Sequence, residues 1–330
     1  NDRAWDLFTS LKLISSLIKN NKIKIYLSEL NFGFAFLFKK HLVKKINFQL
    51  SLSNKINILF DILKNKYDEV YILTPKTFYF LLPLFFRKIK FYAIVYDNYK
   101  KKRPNRFLRK YLFKFNIIYR DKLNKYNYSA NQLNLLSKET KIDQQFSNLY
   151  IPKFPSKKKD LLPENYIFFQ FRYKFFELLN WDFNQIVQFL NILKSKYEYV
   201  LFCSDKEINE NTKYYVDFFL KQYSSIDFNV NQFNRKNNIK IIYLNNLNSL
   251  DMFQVAKLAK YNIGPHGIIS HLSYFHKVPS LNLFNFVISK KSDLIHQKIS
   301  FSEWYKDMNF NFSFLNKDFL RTLRKINKLI

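Results

Sequence analysis

The sequence is poor in glycine and cysteine, and each shortage restricts what the protein can be. Only 3 of its 330 residues are glycine, against roughly 7% in an average protein, and Gly264 and Gly267 lie in one short stretch. We therefore expect these two positions to need a backbone shape that other residues cannot adopt. The single cysteine, Cys203, excludes an internal disulfide and a multi-cysteine zinc site, and its apolar neighbours predict a buried strand position.

Long apolar runs and metal-binding patterns are also missing. The longest apolar run, 78–86, contains Pro83 and falls far short of the roughly 20 residues that span a membrane. The chain shows no secretory signal, and its histidines lack partner carboxylates at the spacing of a metal site. The sequence therefore predicts a cytoplasmic protein that uses no metal and no cofactor.

In contrast to glycine and cysteine, positively charged residues are in large excess. The chain has 55 Lys and Arg against 25 Asp and Glu, a net charge of +30. This excess favours a polyanionic partner, such as nucleic acid, an anionic membrane face or a phosphorylated glycolipid. The alternative is compositional, because abundant Lys, Asn, Ile, Phe and Tyr are typical of an AT-rich genome. No zinc-finger spacing, RNA-recognition signature or clear helix-turn-helix is present, so we predict no nucleic-acid partner.

Length and hydrophobicity predict two packed domains. A single core is near its size limit at 330 residues, and contents of 48% hydrophobic and 19% aromatic residues exclude disorder. Strand and helix patterns alternate, which predicts an α/β fold with parallel sheets covered by helices. We predict helices at 5–19, 54–65, 78–86, 182–194, 213–223, 249–260 and from near Ile269, and strands at 22–27, 67–73, 90–95, 166–171, 199–203, 240–244, 261–263 and 280–284.

A basic stretch with three prolines, 151–163, interrupts this alternation. We therefore predict a Rossmann-like α/β domain at 1–150, a linker at 151–163 and a second Rossmann-like domain with a C-terminal helix at 164–330. The layout resembles that of GT-B glycosyltransferases, in which two such domains face each other across a cleft. We expect the first strand of the first domain to lie upstream of Asn1.

The stretch 264–273, Gly-Pro-His-Gly-Ile-Ile-Ser-His-Leu-Ser, carries the strongest functional signal. A strand at 261–263 leads into the turn Gly264–Gly267 and then into a helix. Backbone N–H groups at a helix N-terminus bind anions, so this turn suits a nucleotide diphosphate. Ser270 and His271 would then face the ligand from the first turn of the helix. The alternative is a plain helix-start turn with a packed histidine.

The stretch 249–284 resembles the signature of glycosyltransferase family 9, the ADP-heptose:lipopolysaccharide heptosyltransferases. The family carries Asp-Thr-Gly-x-x-His-Leu, a small-residue helix and Val-Pro-x-x-x-Leu-Phe. The matching residues here are Gly264-Pro265-His266-Gly267, Ser270-His271-Leu272-Ser273 and Val278-Pro279-Ser280-Leu281-Asn282-Leu283-Phe284, with weaker agreement at Asn1-Asp2, Tyr67-Asp68-Glu69-Val70 and Trp181. The resemblance implies a metal-independent GT-B enzyme that moves a sugar from a nucleotide-diphosphate donor to lipopolysaccharide or another glycolipid or glycan.

Two positions depart from the family pattern, and the donor sugar stays open as a result. His266 stands where the family has the aspartate that contacts the donor sugar, so we predict a catalytic position for His266. Leu179 replaces a phosphate-neutralising lysine, a role for which Arg172 and Lys174 are expected to substitute. The residues predicted to bind the donor are Arg172, Lys174, Glu207, Gly264, Gly267, Ser270 and His271.

Further roles follow from the same resemblance. Asp2 matches the family's catalytic base, although an aspartate there is also a good helix N-cap. Glu207 would bind a ribose, a role for which Asp205 and Glu210 compete. The groups expected to stabilise the departing diphosphate are the N–H groups of 267–270, His271 and Arg172.

The basic segment 100–110 belongs to the predicted first domain, which binds the acceptor in GT-B enzymes. Its arginines, Arg103 and Arg106, suit a phosphorylated glycolipid at the anionic inner face of the cell membrane. We therefore predict that they bind the acceptor and that the protein is peripheral to the membrane. The alternative is a solvated surface run that follows the lysine bias of the chain.

Two rival functions remain open. The segments 169–172 and 202–205 faintly resemble the His-x-Arg and Phe-Ser-Asp strands of fucosyltransferase-like GT-B enzymes. The second rival is a degenerate GT-B protein that binds glycolipid without transferring a sugar, because the family aspartate and lysine are missing.

Overall fold

The computed structural model describes residues 4–73, 77–95, 115–119, 146, 148–204, 210–237, 239–285, 310–315 and 317–330. The chain divides into two units, Asn1–Pro152 and Lys153–Ile330. The division lies inside the segment 151–163. In both units helices alternate with strands that pair mainly in parallel, which gives an α/β architecture.

The described residues of the first unit form two parallel sheets. Its elements are α1 (Ala4–Asn20), β1 (Ile25–Ser28), β2 (Val43–Ile46), α2 (Leu52–Asn65), β3 (Glu69–Ile72), α3 (Thr77–Phe85), β4 (Lys90–Val95) and β5 (Phe115–Tyr119), with short 3-10 turns at Phe32–Leu37 and Lys40–Leu42. Strands β1 and β2 form one parallel pair, and β3, β4 and β5 form a second parallel sheet in that order. Ile58 and Ile62 of α2 pack into a core with Ile72 and Phe91.

The second unit is built on one eight-stranded sheet. Its elements are α4 (Ser156–Lys159), β6 (Tyr166–Gln170), α5 (Tyr173–Glu177), α6 (Phe183–Lys196), β7 (Tyr199–Cys203), α7 (Glu210–Gln222), β8 (Ser224–Asp227), β9 (Gln232–Asn234), β10 (Ile241–Asn245), α8 (Ser249–Leu258), β11 (Tyr261–Pro265), α9 (Ile268–His276), β12 (Ser280–Asn285), β13 (Phe310–Leu315) and α10 (Phe319–Asn327). The strand order is β13-β12-β11-β6-β7-β10-β8-β9. Neighbouring strands are parallel except β8 and β9, which are antiparallel.

Strand β6 is the point at which the chain changes direction across this sheet. From β6 the chain proceeds to β7, β8 and β10 on one side, and it then crosses to β11 on the other side. In open α/β sheets, ligands bind outside the carboxyl ends of the two strands that flank such a change of direction. The stretch 264–273 begins at the carboxyl end of β11 and therefore lies at this position.

Aromatic side chains fill the core beside the sheet of the second unit. Phe171 packs on Phe176 and on Phe219, with ring centroids 5.1 and 5.3 Å apart. Trp181 is 3% exposed and packs on Phe176 and Phe319 at 5.2 and 4.9 Å. Such contacts account for the high aromatic content of the sequence, since each buried ring removes a large apolar area from water.

Most predicted helices and strands are present near their predicted bounds, and β4 and β7 coincide with the predictions. Cys203 is buried at the end of β7, as predicted. Strands β2, β5, β8, β9 and β13 were not predicted. Two of them, Val43-Lys-Lys-Ile and Ser224-Ser-Ile-Asp, are short and largely polar, so they lack the alternating apolar pattern that marks a strand.

The N-terminus of α8 is held by a largely buried ion pair. The Asp251 backbone N–H donates to Asn248 Oδ1 at 2.9 Å. Lys158 Nζ donates to both carboxylate oxygens of Asp251, each at 2.9 Å. The Asp251 side chain is 2% exposed and that of Lys158 is 17% exposed. Because Lys158 belongs to α4, the pair fixes the start of the second unit against α8.

The Asp251→Ala variant is expected to lower the free energy of unfolding by about 3 kcal/mol, because it leaves the Lys158 ammonium without its partner. The matched variant Asp217→Ala removes an exposed carboxylate from α7 and should change stability by less than about 0.5 kcal/mol. Urea titrations followed by circular dichroism measure both changes. Equal stability losses in the two variants would contradict the importance of the pair.

Candidate functional site

Predicted donor-binding residues meet at the carboxyl ends of β6 and β11. Gln170 ends β6 and Arg172 follows it, while Gly264 lies in β11 and Gly267 follows that strand. The two segments are in contact, because a Cβ added at Gly267 would lie 3.4 Å from Arg172 Nη1. A guanidinium therefore lies beside the turn that begins α9.

Close packing explains why position 264 is glycine. A Cβ there would lie 2.9 Å from Ile269 Cγ2 and 3.3 Å from the backbone oxygen of Gln170, so neither the neighbouring strand nor α9 leaves room for it. Gly267 has a φ of 162°, which is extended backbone that any residue adopts. The expectation that both glycines supply a special backbone shape is therefore wrong. Gly264 is required for steric reasons, and Gly267 is not required by its backbone angles.

Ser270 organises the turn between β11 and α9. Its hydroxyl oxygen accepts a hydrogen bond from the Gly267 N–H at 3.2 Å, and its proton is donated to Asn282 Oδ1 in β12. His266 Nδ1 lies 3.2 Å from the same oxygen. The Asn282 amide is oriented by its nitrogen, which donates to Ser280 Oγ at 3.1 Å. Ser270 is fully buried, so it holds the turn together instead of facing a ligand as predicted.

The hydrogen bonds of Ser270 fix the tautomer of His266. A serine hydroxyl has one proton and two lone pairs. Its proton goes to Asn282 and one lone pair accepts from Gly267, so the remaining lone pair accepts from His266 Nδ1–H. Nε2 of His266 therefore carries the ring's lone pair. The ring is also stacked on Phe284, with centroids 4.9 Å apart and planes within 10° of parallel, which fixes its orientation.

His266 is uncharged near neutral pH. Burial, together with the neighbouring His271 and the positive charge of Arg172, holds the pKa of His266 well below its usual value of 6.5. The aspartate of the family pattern is thus replaced by a neutral hydrogen-bond acceptor and not by a cation. A neutral imidazole cannot donate a proton as an imidazolium, and its Nε2 is buried in this structure.

His271 is a packed histidine. Its side chain is 1% exposed, and burial lowers its pKa to about 3. The ring is enclosed by protein in this structure, and an uncharged imidazole supplies no positive charge to a departing diphosphate. The prediction for His271 is corrected accordingly, and the alternative of a helix-start turn with a packed histidine describes its position.

The positive charge of the site comes from Arg172. This residue is exposed, it precedes α5, and it lies close enough to His266 to depress the pKa of that ring. Lys174 is also exposed, within α5. Leu179 is 1% exposed in the aromatic core with Trp181. A phosphate-binding lysine at position 179 would bury its charge there, so the core explains this departure from the family pattern.

Several predicted site residues lie outside the part of the chain that the structure describes, and their roles stay predictions. These residues are Asp2, Arg103, Arg106, Asp205 and Glu207. Glu210, which competes with Glu207 for a ribose, begins α7 and is exposed.

Two polar residues of the site were not predicted. Gln170 is 4% exposed at the end of β6, and its Oε1 accepts no hydrogen bond from the described residues. Asn282 is fully buried in β12 between two leucines. The available signal was a polar residue next to apolar strand residues, Gln170 after Phe169 and Asn282 between Leu281 and Leu283, because a buried amide needs a specific hydrogen-bonding reason.

Metal and membrane features are absent from the described residues. Among them, no group of three or more His, Cys, Asp and Glu side chains is arranged to hold a metal ion. None of the helices in the same ranges combines the length and apolar character that crossing a membrane requires.

Comparisons with known proteins identify the fold. In sequence, no protein-family model and no curated protein matches the chain. In structure, it is similar to the Escherichia coli heptosyltransferase WaaC with ADP, with a TM-score of 0.59, 11% identity, and coverage of 98% of this chain and 96% of that chain. It is equally similar to the glycosyl transferase family 9 protein of Veillonella parvula DSM 2008, with a TM-score of 0.59, 11% identity, and coverage of 98% and 86%.

The chain has the GT-B fold. The predicted resemblance to glycosyltransferase family 9 is therefore confirmed at the level of the fold. The UDP-GlcNAc 2-epimerase of Methanocaldococcus jannaschii is also similar, with a TM-score of 0.54, 13% identity, and coverage of 97% of this chain and 88% of that chain. Because enzymes of two reaction types share this GT-B fold, the fold alone does not specify the reaction.

The buried histidines make the folded protein sensitive to acid. Burial lowers the pKa of His276, at the end of α9, to about 3, as it does for His271. In the unfolded chain these imidazoles bind protons below about pH 6.5. The unfolded state then binds more protons than the folded state, so the free energy of unfolding falls as the pH falls from about 6.5 toward 3.

We expect the chain to be less stable at pH 5 than at pH 7, and His276→Gln to reduce this difference by about 2 kcal/mol. One buried imidazole then no longer contributes to proton uptake on unfolding. His41→Gln, at an exposed position in the first unit, is the control and should leave the difference unchanged. Denaturant titrations at both pH values measure it. The full wild-type pH dependence in His276→Gln would be evidence against the argument.

Proposed function

We propose that the chain is a glycosyltransferase whose nucleotide-diphosphate sugar donor binds at the carboxyl ends of β6 and β11. The observation that carries the proposal is the Arg172 guanidinium beside Gly267, where α9 begins. Arginine pairs with phosphate through two parallel hydrogen bonds, and a helix N-terminus attracts anions. The WaaC structure contains ADP, and the epimerase is named for a UDP-sugar, so sugar nucleotides are the ligands that this fold suggests.

The diphosphate would be held by backbone and side chain together. The Gly267 N–H is bonded to Ser270, so it is not one of the donors. The N–H groups of 268–270 begin α9, where the helix itself supplies no acceptor for them. Arg172 neutralises the diphosphate charge from the β6 side, and exposed Lys174 adds positive charge nearby.

The sugar of the donor would be recognised by His266. Its Nε2 is buried in this structure, so we propose that donor binding exposes this atom to accept a hydrogen bond from a sugar hydroxyl. The Ser270 hydroxyl and the Phe284 ring fix the imidazole. A neutral acceptor next to Arg172 differs from the carboxylate of ADP-heptose enzymes. We therefore propose a donor similar to ADP-heptose in its nucleotide diphosphate but not necessarily in its sugar.

In the transfer step, an acceptor hydroxyl oxygen attacks the anomeric carbon of the donor. The bond from that carbon to the diphosphate oxygen breaks, and the nucleoside diphosphate leaves with the electron pair. Asp2 accepts the hydroxyl proton, a role proposed from the family resemblance. Arg172 and the start of α9 stabilise the negative charge that develops on the leaving group. Arg103 and Arg106 are proposed to bind the acceptor, a lipopolysaccharide or other glycolipid or glycan at the inner membrane face.

An epimerase is the second candidate, because the epimerase of M. jannaschii shares the fold. An epimerase would invert one centre of the nucleotide sugar without an acceptor, whereas a transferase needs the acceptor hydroxyl. NMR of UDP-, ADP- and GDP-sugars incubated with the protein, each with and without lipopolysaccharide as the acceptor, separates the two reactions. Binding without either reaction would instead indicate a GT-B protein that has lost catalysis.

Replacing Arg172 by Ala is expected to weaken the binding of nucleoside diphosphates by about 10- to 100-fold, since it removes a charge-assisted contact. Arg321→Ala removes an exposed arginine from α10 and should bind as the wild type does. Thermal-shift screening with ADP, GDP and UDP, followed by calorimetry with the best ligand, measures the effect. A wild-type protein that binds none of these nucleotides or their sugars would overturn the proposed donor site.

Replacing Asp2 by Asn should reduce the rate of transfer by about 100-fold or more while leaving donor binding unchanged. The reason is that only the proton acceptor for the attacking hydroxyl is lost. Asp6→Asn, four residues further along the chain, is the matched control and should retain activity. Transfer at the wild-type rate by Asp2→Asn would exclude Asp2 as the base without affecting the proposal for donor binding.

A further inference from the structure

Helix α2 carries a row of apolar side chains that point away from the core. Its outward-facing apolar residues, with their exposed fractions, are Leu52 (71%), Ile56 (42%), Phe60 (66%) and Leu63 (60%). Their spacing of four, four and three residues places them on one face of the helix. The core contacts of α2 come instead from Ile58 and Ile62, which are each 4% exposed.

The matched helix α6 shows that this row is unusual for the chain. Like α2, α6 has 14 residues, and it buries Ile186, Phe189, Leu190 and Leu193. Its exposed positions, however, are all polar: Asn184, Gln188, Asn191, Ser195 and Lys196. The sequence can therefore build a helix with a polar outer face, and α2 departs from that arrangement at four positions.

The surroundings of the row are positively charged. The only acid of α2, Asp61, is paired with Lys44 at 3.1 Å and also accepts a hydrogen bond from Tyr67 at 2.9 Å. Exposed lysines near the row are Lys39, Lys40, Lys45, Lys64 and Lys66, and they outnumber the exposed acids Glu29, Asp68 and Glu69. An apolar row flanked by cations, with its acid neutralised, complements a surface that is apolar inside and anionic outside.

The apolar surface continues at the turn after β1. This turn carries Leu30, 60% exposed, and Phe32, 38% exposed. Glu29 connects this turn to the segment that leads into α2. Its N–H donates to the Ile46 carbonyl oxygen at 2.9 Å, and its carboxylate accepts from the Phe48 N–H at 3.1 Å. The turn and the start of α2 thus belong to one connected part of the first unit.

We propose that α2 is a membrane-binding element that lies in the interface of an anionic lipid bilayer, with Leu52, Ile56, Phe60 and Leu63 inserted among the acyl chains. Amphipathic helices with basic flanks bind such interfaces in the plane of the membrane. The lysines contact the anionic headgroups. The occupant is a lipid surface and not a second copy of this chain, because a symmetric dimer would bring the same lysines of two chains, each of net charge +30, face to face.

This proposal assigns a contact surface to the inner-membrane location already proposed for the acceptor, and it does not depend on the donor site. The test is co-sedimentation of the full chain with vesicles of phosphatidylcholine alone or mixed equally with phosphatidylglycerol. The wild type should bind the mixed vesicles, and the double variant Phe60→Gln/Leu63→Gln should bind about tenfold more weakly, since two apolar side chains no longer insert. The control Val230→Gln/Ile239→Gln changes two exposed apolar residues of the second unit and should bind like the wild type.

Insertion is checked independently with Phe60→Trp, whose emission should shift to shorter wavelength on the mixed vesicles only. Circular dichroism and binding of the best nucleotide show that each variant is folded. Equal vesicle binding by the double variant and the wild type would overturn the proposal. The proposal would also be overturned if the wild type bound neither kind of vesicle, or if sedimentation velocity showed a dimer that dissociates in the double variant. A failed donor site would leave the vesicle results unchanged, so the two proposals are tested separately.

Discussion

The site depends on the missing side chain at Gly264. With no Cβ there, β11 lies against β6, and the first turn of α9 reaches within contact distance, since an added carbon would be only 2.9 Å from Ile269. This close approach brings the start of α9 beside the end of β6, where Arg172 stands. The pairing of a guanidinium with a helix N-terminus thus follows from one steric constraint at the point where the sheet changes direction.

A buried hydroxyl then determines the chemistry of the turn. Ser270 uses its proton and both lone pairs on three residues, namely Asn282 of β12 and Gly267 and His266 of the turn, so its own hydroxyl is fully hydrogen-bonded. His266 is left as a neutral, oriented acceptor next to Arg172. A carboxylate in its place would pair with the arginine and reduce the positive charge available to a ligand. A neutral imidazole does not neutralise that charge.

Local pattern was enough to predict the α/β alternation and the turn between β11 and α9, because strand and helix periods and rare glycines are visible along the chain. What the sequence could not show is which side chains point inward. Ser270 and His271 lie in the first turn of a helix, where either direction is possible, and only the folded structure shows that both are buried, Ser270 against Asn282 of β12. Leu179 likewise belongs to the aromatic core, which arises only when distant segments meet. That Gln170 and Asn282 belong to the site becomes visible only when the strand order is known.

The amino-acid composition of the chain and the positions of its exposed residues give different information about the surface of this protein. An AT-rich coding bias explains why lysine, isoleucine and phenylalanine are common, and it weakens any inference from the net charge alone. Such a bias acts equally on every helix, so it does not explain why α6 keeps its outer face polar while α2 exposes four large apolar residues. Exposed apolar side chains in a row cost free energy in water unless something covers them. Because the flanking charge is positive and the acid of α2 is paired, an anionic lipid surface satisfies both the apolar row and its lysines, which an uncharged or basic protein partner would not.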